Sequence, residues 1–151
     1  MIIEKASRED LPMILQLQHL AFAKEAEEFN DFEIGPLKQT VNDLDQEFSV
    51  RVFLKALDEN GSIIGSTRGY IENGTSYIGM TFLHPDFQGQ GIGTRLIRTL
   101  ETMNQAPRYE INASTRCPQN IRLYERLGYV RFREVHTDNN SFLFLEKRDL
   151  L

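Results

Sequence analysis

The 151 residues of this chain match the usual length of one domain, and its hydrophobic fraction of 40% and charged fraction of 26% are typical of globular proteins. Its net charge of −5 argues against a nucleic-acid-binding surface, and the single Cys117 excludes an intrachain disulfide. The charged N-terminus does not resemble a signal peptide, and no apolar run approaches the roughly 20 residues that span a bilayer. We therefore expect one domain over residues 1–151, in the cytoplasm, with neither a nucleic acid nor a membrane as partner.

The first half of the chain predicts one strand, two helices and a meander of three antiparallel strands. Residues 7–10 fit a capping box, but Pro12 leaves open whether Ser7, Asp10 or a 3₁₀ turn begins the first helix. Asn73-Gly74 is a strong hairpin signal between the last two strands. The predicted elements are a strand at 2–6, helices at about 11–24 and 37–48, and strands at 50–57, 63–72 and 76–83.

An acidic stretch separates the two predicted helices, and it contains Glu25, Glu27, Glu28, Asp31 and Glu33. A charge run of this kind is usually a solvated segment, so a loop is the first interpretation. The second interpretation is a lip of the substrate site that favours cationic amines.

The most informative stretch is residues 88–94, Gln-Gly-Gln-Gly-Ile-Gly-Thr, between the last strand of the meander and an amphipathic helix. Glycines permit left-handed backbone angles and remove the Cβ atoms that keep a ligand away from the backbone. The first N–H groups of a helix have no intrahelical partner, and the helix dipole places partial positive charge there. This combination predicts a phosphate or pyrophosphate site, although three glycines alone are also common in structural loops.

The second half of the chain predicts a βαβ crossover followed by a helix and two strands. Ile92, Leu96, Leu100 and Met103 form the apolar face of the helix after the loop, and a strand at 109–113 follows it. A helix at 119–127 ends at Gly128, and strands at 129–135 and 142–146 complete the chain. The predicted fold class is α/β, with a mixed, mostly antiparallel sheet of about seven strands, a βαβ crossover and flanking helices.

Two familiar nucleotide-binding patterns do not fit. A phosphate-loop NTPase needs Gly-Lys-Ser/Thr after its loop, and this triplet does not occur. A dinucleotide fold has its glycine loop in the first βα turn, whereas this loop follows three antiparallel strands.

Residues 88–93, Gln-Gly-Gln-Gly-Ile-Gly, match the Gln/Arg-x-x-Gly-x-Gly/Ala signature of the GNAT superfamily of N-acetyltransferases. Residues 120–129, Asn-Ile-Arg-Leu-Tyr-Glu-Arg-Leu-Gly-Tyr, closely resemble the second motif of that family, a Leu-Tyr followed by Gly-Phe/Tyr. The order of elements also resembles the family over essentially the whole chain. The resemblance implies the acyl-CoA N-acyltransferase fold, acetyl-CoA as acyl donor, and direct attack on the thioester by a primary amine of a small molecule or peptide.

The same resemblance implies where the donor binds. The pyrophosphate would lie on backbone N–H groups of residues 89–94. The pantetheine arm would pair with residues 82–83 like an added strand. This pairing requires the strand at 76–83 to splay from the strand at 109–113. Asn120 would contact the cofactor, although a helix-start hydrogen bond is an equal interpretation. The implied cofactor-binding residues are Phe82, Leu83, Gln88, Gly89, Gln90, Gly91, Ile92, Gly93, Thr94 and Asn120.

Tyr124 is the implied catalytic acid, because the family pattern places this tyrosine beside the cofactor sulfur; the other interpretation is an aromatic packing residue. Backbone N–H near Leu83 would stabilise the oxyanion. The general base is open between Glu72, Glu110, His84, a water chain and an amine that enters already neutral.

Other chemistry is not expected from the remaining reactive residues. Cys117 has no evident His partner, and His19 and His136 are isolated, so neither an acyl-cysteine nor a metal site is predicted. A catalytically silent acyl-CoA sensor and a transferase of a different acyl group stay open as functions. Edge strands near the C-terminus can pair in a homodimer.

Overall fold

The computed structural model describes residues 1–149, and within that range seven strands form one sheet. The strands are β1 (Ile2–Lys5), β2 (Val52–Leu57), β3 (Ile63–Glu72), β4 (Thr75–Leu83), β5 (Arg108–Ser114), β6 (Val130–His136) and β7 (Ser141–Arg148). Their order is β1-β2-β3-β4-β5-β7-β6, and only the β4–β5 pair is parallel. The predicted mixed, mostly antiparallel sheet with a βαβ crossover is confirmed.

Five α-helices flank this sheet in the described range: α1 (Leu11–Phe29), α2 (Gly35–Lys38), α3 (Val41–Phe48), α4 (Ile92–Met103) and α5 (Pro118–Arg126). Consecutive strand residues point to opposite faces, so Phe53 packs with α1 and α3 while Leu54 packs with α4 and α5. The sheet therefore separates two apolar cores. None of the helices in residues 1–149 is long and apolar enough to cross a membrane.

The first helix is longer than predicted. A 3₁₀ turn at Arg8–Asp10 precedes it, and the Ser7 N–H donates to the Asp10 carboxylate over 2.8 Å. Pro12 then lies in the first turn of α1, where its missing N–H has no intrahelical partner to lose. The predicted end at residue 24 is wrong, because α1 continues until Asn30 adopts a left-handed φ of 46°.

Two further predictions about helices are wrong in detail. The predicted helix at 37–48 is divided into α2 and α3, because Thr40 caps α3 by accepting a hydrogen bond from the Asp43 N–H. Met103 is exposed at the end of α4, and the inner face of that helix includes Ile97 instead.

The edge of the sheet near the C-terminus is β6, whose residues are all exposed. Val130, Phe132 and Val135 are among the exposed apolar side chains of this strand. Pairing of such an edge with a second copy stays a prediction.

Candidate active site

β4 and β5 separate along their length and leave an opening in the sheet. Residues 75–78 pair with residues 108–111, but beyond this point β4 pairs only with β3 and β5 only with β7. Ser66 pairs with Phe82 whereas Arg68 pairs with Gly79, so β4 carries one extra residue, and Met80 in this bulge has a φ of 50°. A bulge bends and twists its strand, which accounts for the divergence. The predicted splay is present.

The splay leaves one edge of β4 without a neighbouring strand in the described chain. The His84 N–H donates to the Ile64 C=O on β3 over 2.8 Å. Successive backbone N–H groups of a strand point to opposite edges, so the Leu83 N–H faces the opening. The Phe82 side chain lies on the face of the sheet that packs against α1, where it is buried against Phe22 with ring centroids 6.1 Å apart. Backbone groups of β4 are thus available to a ligand in the opening.

The glycine-rich loop ends in an exposed helix tip. Gly89 and Gly91 have φ values of 77° and 81°, and a Cβ atom at either position would meet nothing within 4 Å. The Arg95 N–H donates to the Gly91 C=O over 3.2 Å as the first bond of α4. The preceding N–H groups, from Ile92, Gly93 and Thr94, therefore lie at the tip without partners inside the helix. This geometry suits an anion that approaches the backbone closely.

Gln88, Gln90 and Gly93 complete the loop. Gln88 and Gln90 are exposed at its surface. Gly93 is buried, and a Cβ there would lie 3.6 Å from the Leu123 side chain of α5. This is an ordinary contact distance, so the packing of α4 against α5 does not by itself require glycine at this position.

Tyr124 lies on α5 with only 5% of its surface exposed. Burial raises the pKa of its phenol, and nearby Cys117 adds to the shift. The phenol is therefore held in its protonated form, which suits a proton donor and not a base. Asn120 lies one turn earlier, partly buried, and α5 begins without a side-chain capping hydrogen bond, so the helix-start interpretation of Asn120 has no support.

A cavity of about 610 Å³, which we call the splay cavity, occupies the opening between β4 and β5, and in the described chain its lining includes neither residues 82–83 nor the glycine loop. Met80 and Thr81 of β4 line it opposite residues 112–114 of β5, and Asn120 and Tyr124 reach it from α5. The end of α1, the segment before α2 and the β6–β7 loop complete its walls. The opening in the sheet, the β4 edge and the phenol thus meet in one space.

A family model described as "Acetyltransferase (GNAT) domain" matches residues 50–131, which include the splayed strands, the glycine loop and Tyr124. The chain belongs to the GNAT acetyltransferase family. The recognition made from the two sequence motifs is confirmed.

Several proteins are similar to this GNAT chain. The "Uncharacterized N-acetyltransferase ycf52" of Pyropia yezoensis is 29% identical over 99 residues, which cover 64% of this chain and only 56% of that relative. The fold is similar to phosphinothricin acetyltransferase (Pat) from Sinorhizobium meliloti in complex with AcCoA, with a TM-score of 0.76, 18% identity, and coverage of 97% and 87% of the two chains. It is also similar to the PaiA N-acetyltransferase from Thermoplasma acidophilum in complex with coenzyme A, with a TM-score of 0.74, 17% identity, and coverage of 99% and 100%. At these identities the structural likeness shows the fold.

The acidic stretch before α2 forms part of the splay cavity. Glu25, Asp31 and Glu33 line it, and Glu25 lies in α1 with its side chain 11% exposed, so a solvated loop is the wrong description of that residue. Arg116 lies 3.0 Å from Asp31 and 3.7 Å from Glu25, and Lys38 lies 2.9 Å from Glu33. Attraction of cationic amines by this lip stays a prediction.

Arg116 is a residue of this site that sequence reasoning missed. Besides Asp31, its guanidinium donates to the Asn139 C=O over 2.6 Å and lies 4.8 Å from the Phe29 ring. It therefore joins the end of α1 to the β6–β7 loop across the cavity wall. An arginine in a loop carries no sequence signal of such distant partners.

None of the three side chains considered as general base is among those that line the splay cavity of the described chain. Glu72 is exposed beside the β3–β4 turn, at the opposite end of β4 from the splay. His84 accepts the Asp86 N–H at Nδ1 over 3.0 Å, as expected for a residue at the start of the loop. Glu110 pairs with Arg108 over 2.9 Å and faces a second cavity.

The other reactive residues have structural partners. The Cys117 thiol donates to Glu25 over 3.2 Å, and burial together with that carboxylate raises the pKa of Cys117 to about 12. The thiol is therefore protonated near neutral pH and is a poor nucleophile. The His19 ring lies 3.2 Å from the Gln39 C=O, and His136 is exposed on β6. Within residues 1–149, no group of three or more His, Cys, Asp or Glu side chains is arranged to hold a metal ion.

Proposed function

We propose that this GNAT protein is an acetyl-CoA-dependent N-acetyltransferase that transfers the acetyl group to a primary amine of a small molecule or peptide. The observation that carries the proposal is the splay of β4 from β5, which frees a backbone edge beside the buried phenol of Tyr124. Membership of the family and the AcCoA and coenzyme A complexes of the similar S. meliloti and T. acidophilum proteins support the same donor.

The residues present fit this donor. Gly89 and Gly91 leave open space beside the N–H groups of the helix tip, which would hold the diphosphate. Phe82 and Leu83 would hold the amide-rich pantetheine arm through their backbone groups, and Asn120 would contact it from α5. When bound, the thioester supplies an electrophilic carbonyl at the splay cavity.

The chain supplies two groups to the transfer. The Leu83 N–H faces the opening and would donate to the oxyanion that forms as the amine nitrogen bonds to the acyl carbon. Tyr124 would give its proton to the sulfur as the carbon–sulfur bond breaks. An ordinary phenol has a pKa of about 10 and an ordinary thiol about 8.5, and burial raises the Tyr124 pKa further, so this proton transfer is uphill. The step would be completed when the Tyr124 phenolate takes back the proton that the amine nitrogen loses.

A panel of primary amines, assayed by release of free thiol from acetyl-CoA, tests the proposal. Amine-dependent release supports the transferase. Saturable binding of acetyl-CoA without release for any amine would instead indicate an acyl-CoA sensor. A higher kcat/KM with another acyl-CoA would assign a different acyl group to the same site.

A further inference from the structure

A second cavity, which we call the α3 cavity, lies beside the splay cavity and has a volume of about 690 Å³. Its floor is formed by Tyr77, Glu110, Asn112 and Phe144 from three adjacent strands, and α3 contributes a wall that includes Gln46. Tyr77 and Glu110 alternate with residues of the α4 core, so this floor is on the α1–α3 face of the sheet.

The two cavities meet at Met80 and Asn112, which line both. Met80 belongs to the β4 bulge, and Asn112 is the first residue of β5 beyond the segment paired with β4. The α3 cavity therefore opens at the place where the strands part. Each cavity alone lies within the roughly 300–1,000 Å³ of ordinary small-molecule sites. Since the donor would enter through the splay, the α3 cavity is left for the acceptor.

The basic side chains of the α3 cavity are already paired with carboxylates. Arg68, only 3% exposed, donates to both carboxylate oxygens of Glu47 over 3.0 and 3.1 Å, and Arg51 also pairs with Glu47. Glu110 pairs with Arg108 over 2.9 Å. Asp43 also lines the cavity and caps the start of α3 through its carboxylate. Because both arginines are already paired with Glu47, the cavity is poorly suited to a free anion.

What the cavity does offer is aromatic surface and amide groups. Tyr77 stacks on Tyr70 with ring centroids 5.0 Å apart, and Phe144 continues the aromatic floor. The side-chain amides of Gln46 and Asn112 are exposed and can exchange hydrogen bonds with peptide groups. Aromatic surface with a few amides is the chemistry that recognises an uncharged, amphipathic chain.

We propose that the acceptor is a peptide, whose amine lies in the splay cavity and whose adjoining residues occupy the α3 cavity. This inference rests on the proposed acetyl transfer. It assigns Met80 and Asn112 to the passage between the amine and the rest of the acceptor, and Gln46 to the contact with the peptide.

The test is a length series of acceptors with one N-terminal residue: the amino-acid amide, the dipeptide amide and the tetrapeptide amide, assayed by thiol release. We expect kcat/KM to rise about tenfold or more from the shortest to the longest, as a few added hydrogen bonds and apolar contacts would produce. A parallel series with a blocked N-terminus and a central lysine distinguishes the two sources of peptide amine.

Two variants on α3 locate the effect. Gln46→Trp should fill the α3 cavity and remove the gain with length, whereas Asn42→Trp, at an exposed position of the same helix that does not line the cavity, should retain it. Equal kcat/KM at all lengths, or a length gain that survives Gln46→Trp, would overturn the peptide assignment while leaving the acetyltransferase intact. Absence of thiol release with every peptide acceptor would overturn the peptide assignment, and absence of release with the panel of primary amines as well would overturn both proposals.

Discussion

Replacement of Gly91 by alanine separates backbone strain from ligand binding. Gly91 has a φ of 81° and precedes the first turn of α4. A left-handed conformation costs an L-residue about 1–2 kcal/mol. Since the new Cβ would meet no atom within 4 Å, no steric clash adds to this cost in the free protein. The expected fall in Tm is roughly 2–8 °C for a chain of this size.

The effect on coenzyme A binding should be separate and larger. The alanine methyl group would project into the open space beside the helix tip, where the diphosphate would bind. A hydrogen bond to a charged group contributes about 1.5–3 kcal/mol, so losing one should weaken Kd for acetyl-CoA roughly 10- to 150-fold. Isothermal titration calorimetry on the folded variant measures this change.

Gly74→Ala is the matched control. Gly74 has a φ of 79° and an equally open Cβ position, but it lies in the β3–β4 turn at the far end of β4. Both variants should lose similar stability in a thermal melt, and only Gly91→Ala should lose affinity. Equal Kd values for the two variants would refute the placement of the diphosphate at this helix tip.

Three further predictions concern side chains. Tyr124→Phe should lower kcat by about 10²–10⁴ in a stopped assay, and an unchanged rate would leave Tyr124 a packing residue. In the parent protein, kcat should not decline up to about pH 10 through loss of the Tyr124 proton, because burial raises the Tyr124 pKa above its ordinary value. Cys117→Ala should retain amine-dependent thiol release to within a few-fold, because the Cys117 thiol is protonated and bound to Glu25; loss of all turnover in a folded variant would argue for a covalent route. Glu47→Ala should lower the free energy of unfolding by about 3–5 kcal/mol in urea titrations, because it leaves the buried Arg68 guanidinium without its carboxylate. A change below about 1 kcal/mol would contradict that account.

The sequence was most informative where local chemistry determines local structure. Residues 88–94 predict the loop and the helix start, because glycine adopts positive φ without strain. Gly89 and Gly91 do have positive φ in the structure. The splay of β4 from β5 followed from what the pantetheine arm would require, and the register of the two strands shows it.

The features that the sequence did not reveal depend on contacts between distant segments. Helix α1 continues past residue 24 because Ala26 is fully buried, and Arg116 joins Asp31 to Asn139 although neither is near it in the chain. The α3 cavity likewise arises where a bulge at Met80 meets a helix more than thirty residues earlier. Hydrophobic periodicity reports the buried face of one element and does not predict which distant segments contact each other.

The most direct measurement is calorimetric titration of the protein with acetyl-CoA and with acetyl-pantetheine, which lacks the diphosphate and nucleotide. If backbone donors at the start of α4 hold the diphosphate, acetyl-CoA should bind saturably at one site and acetyl-pantetheine at least about tenfold more weakly. Equal affinity for the two thioesters, or no binding of acetyl-CoA to well-folded protein, would contradict the account.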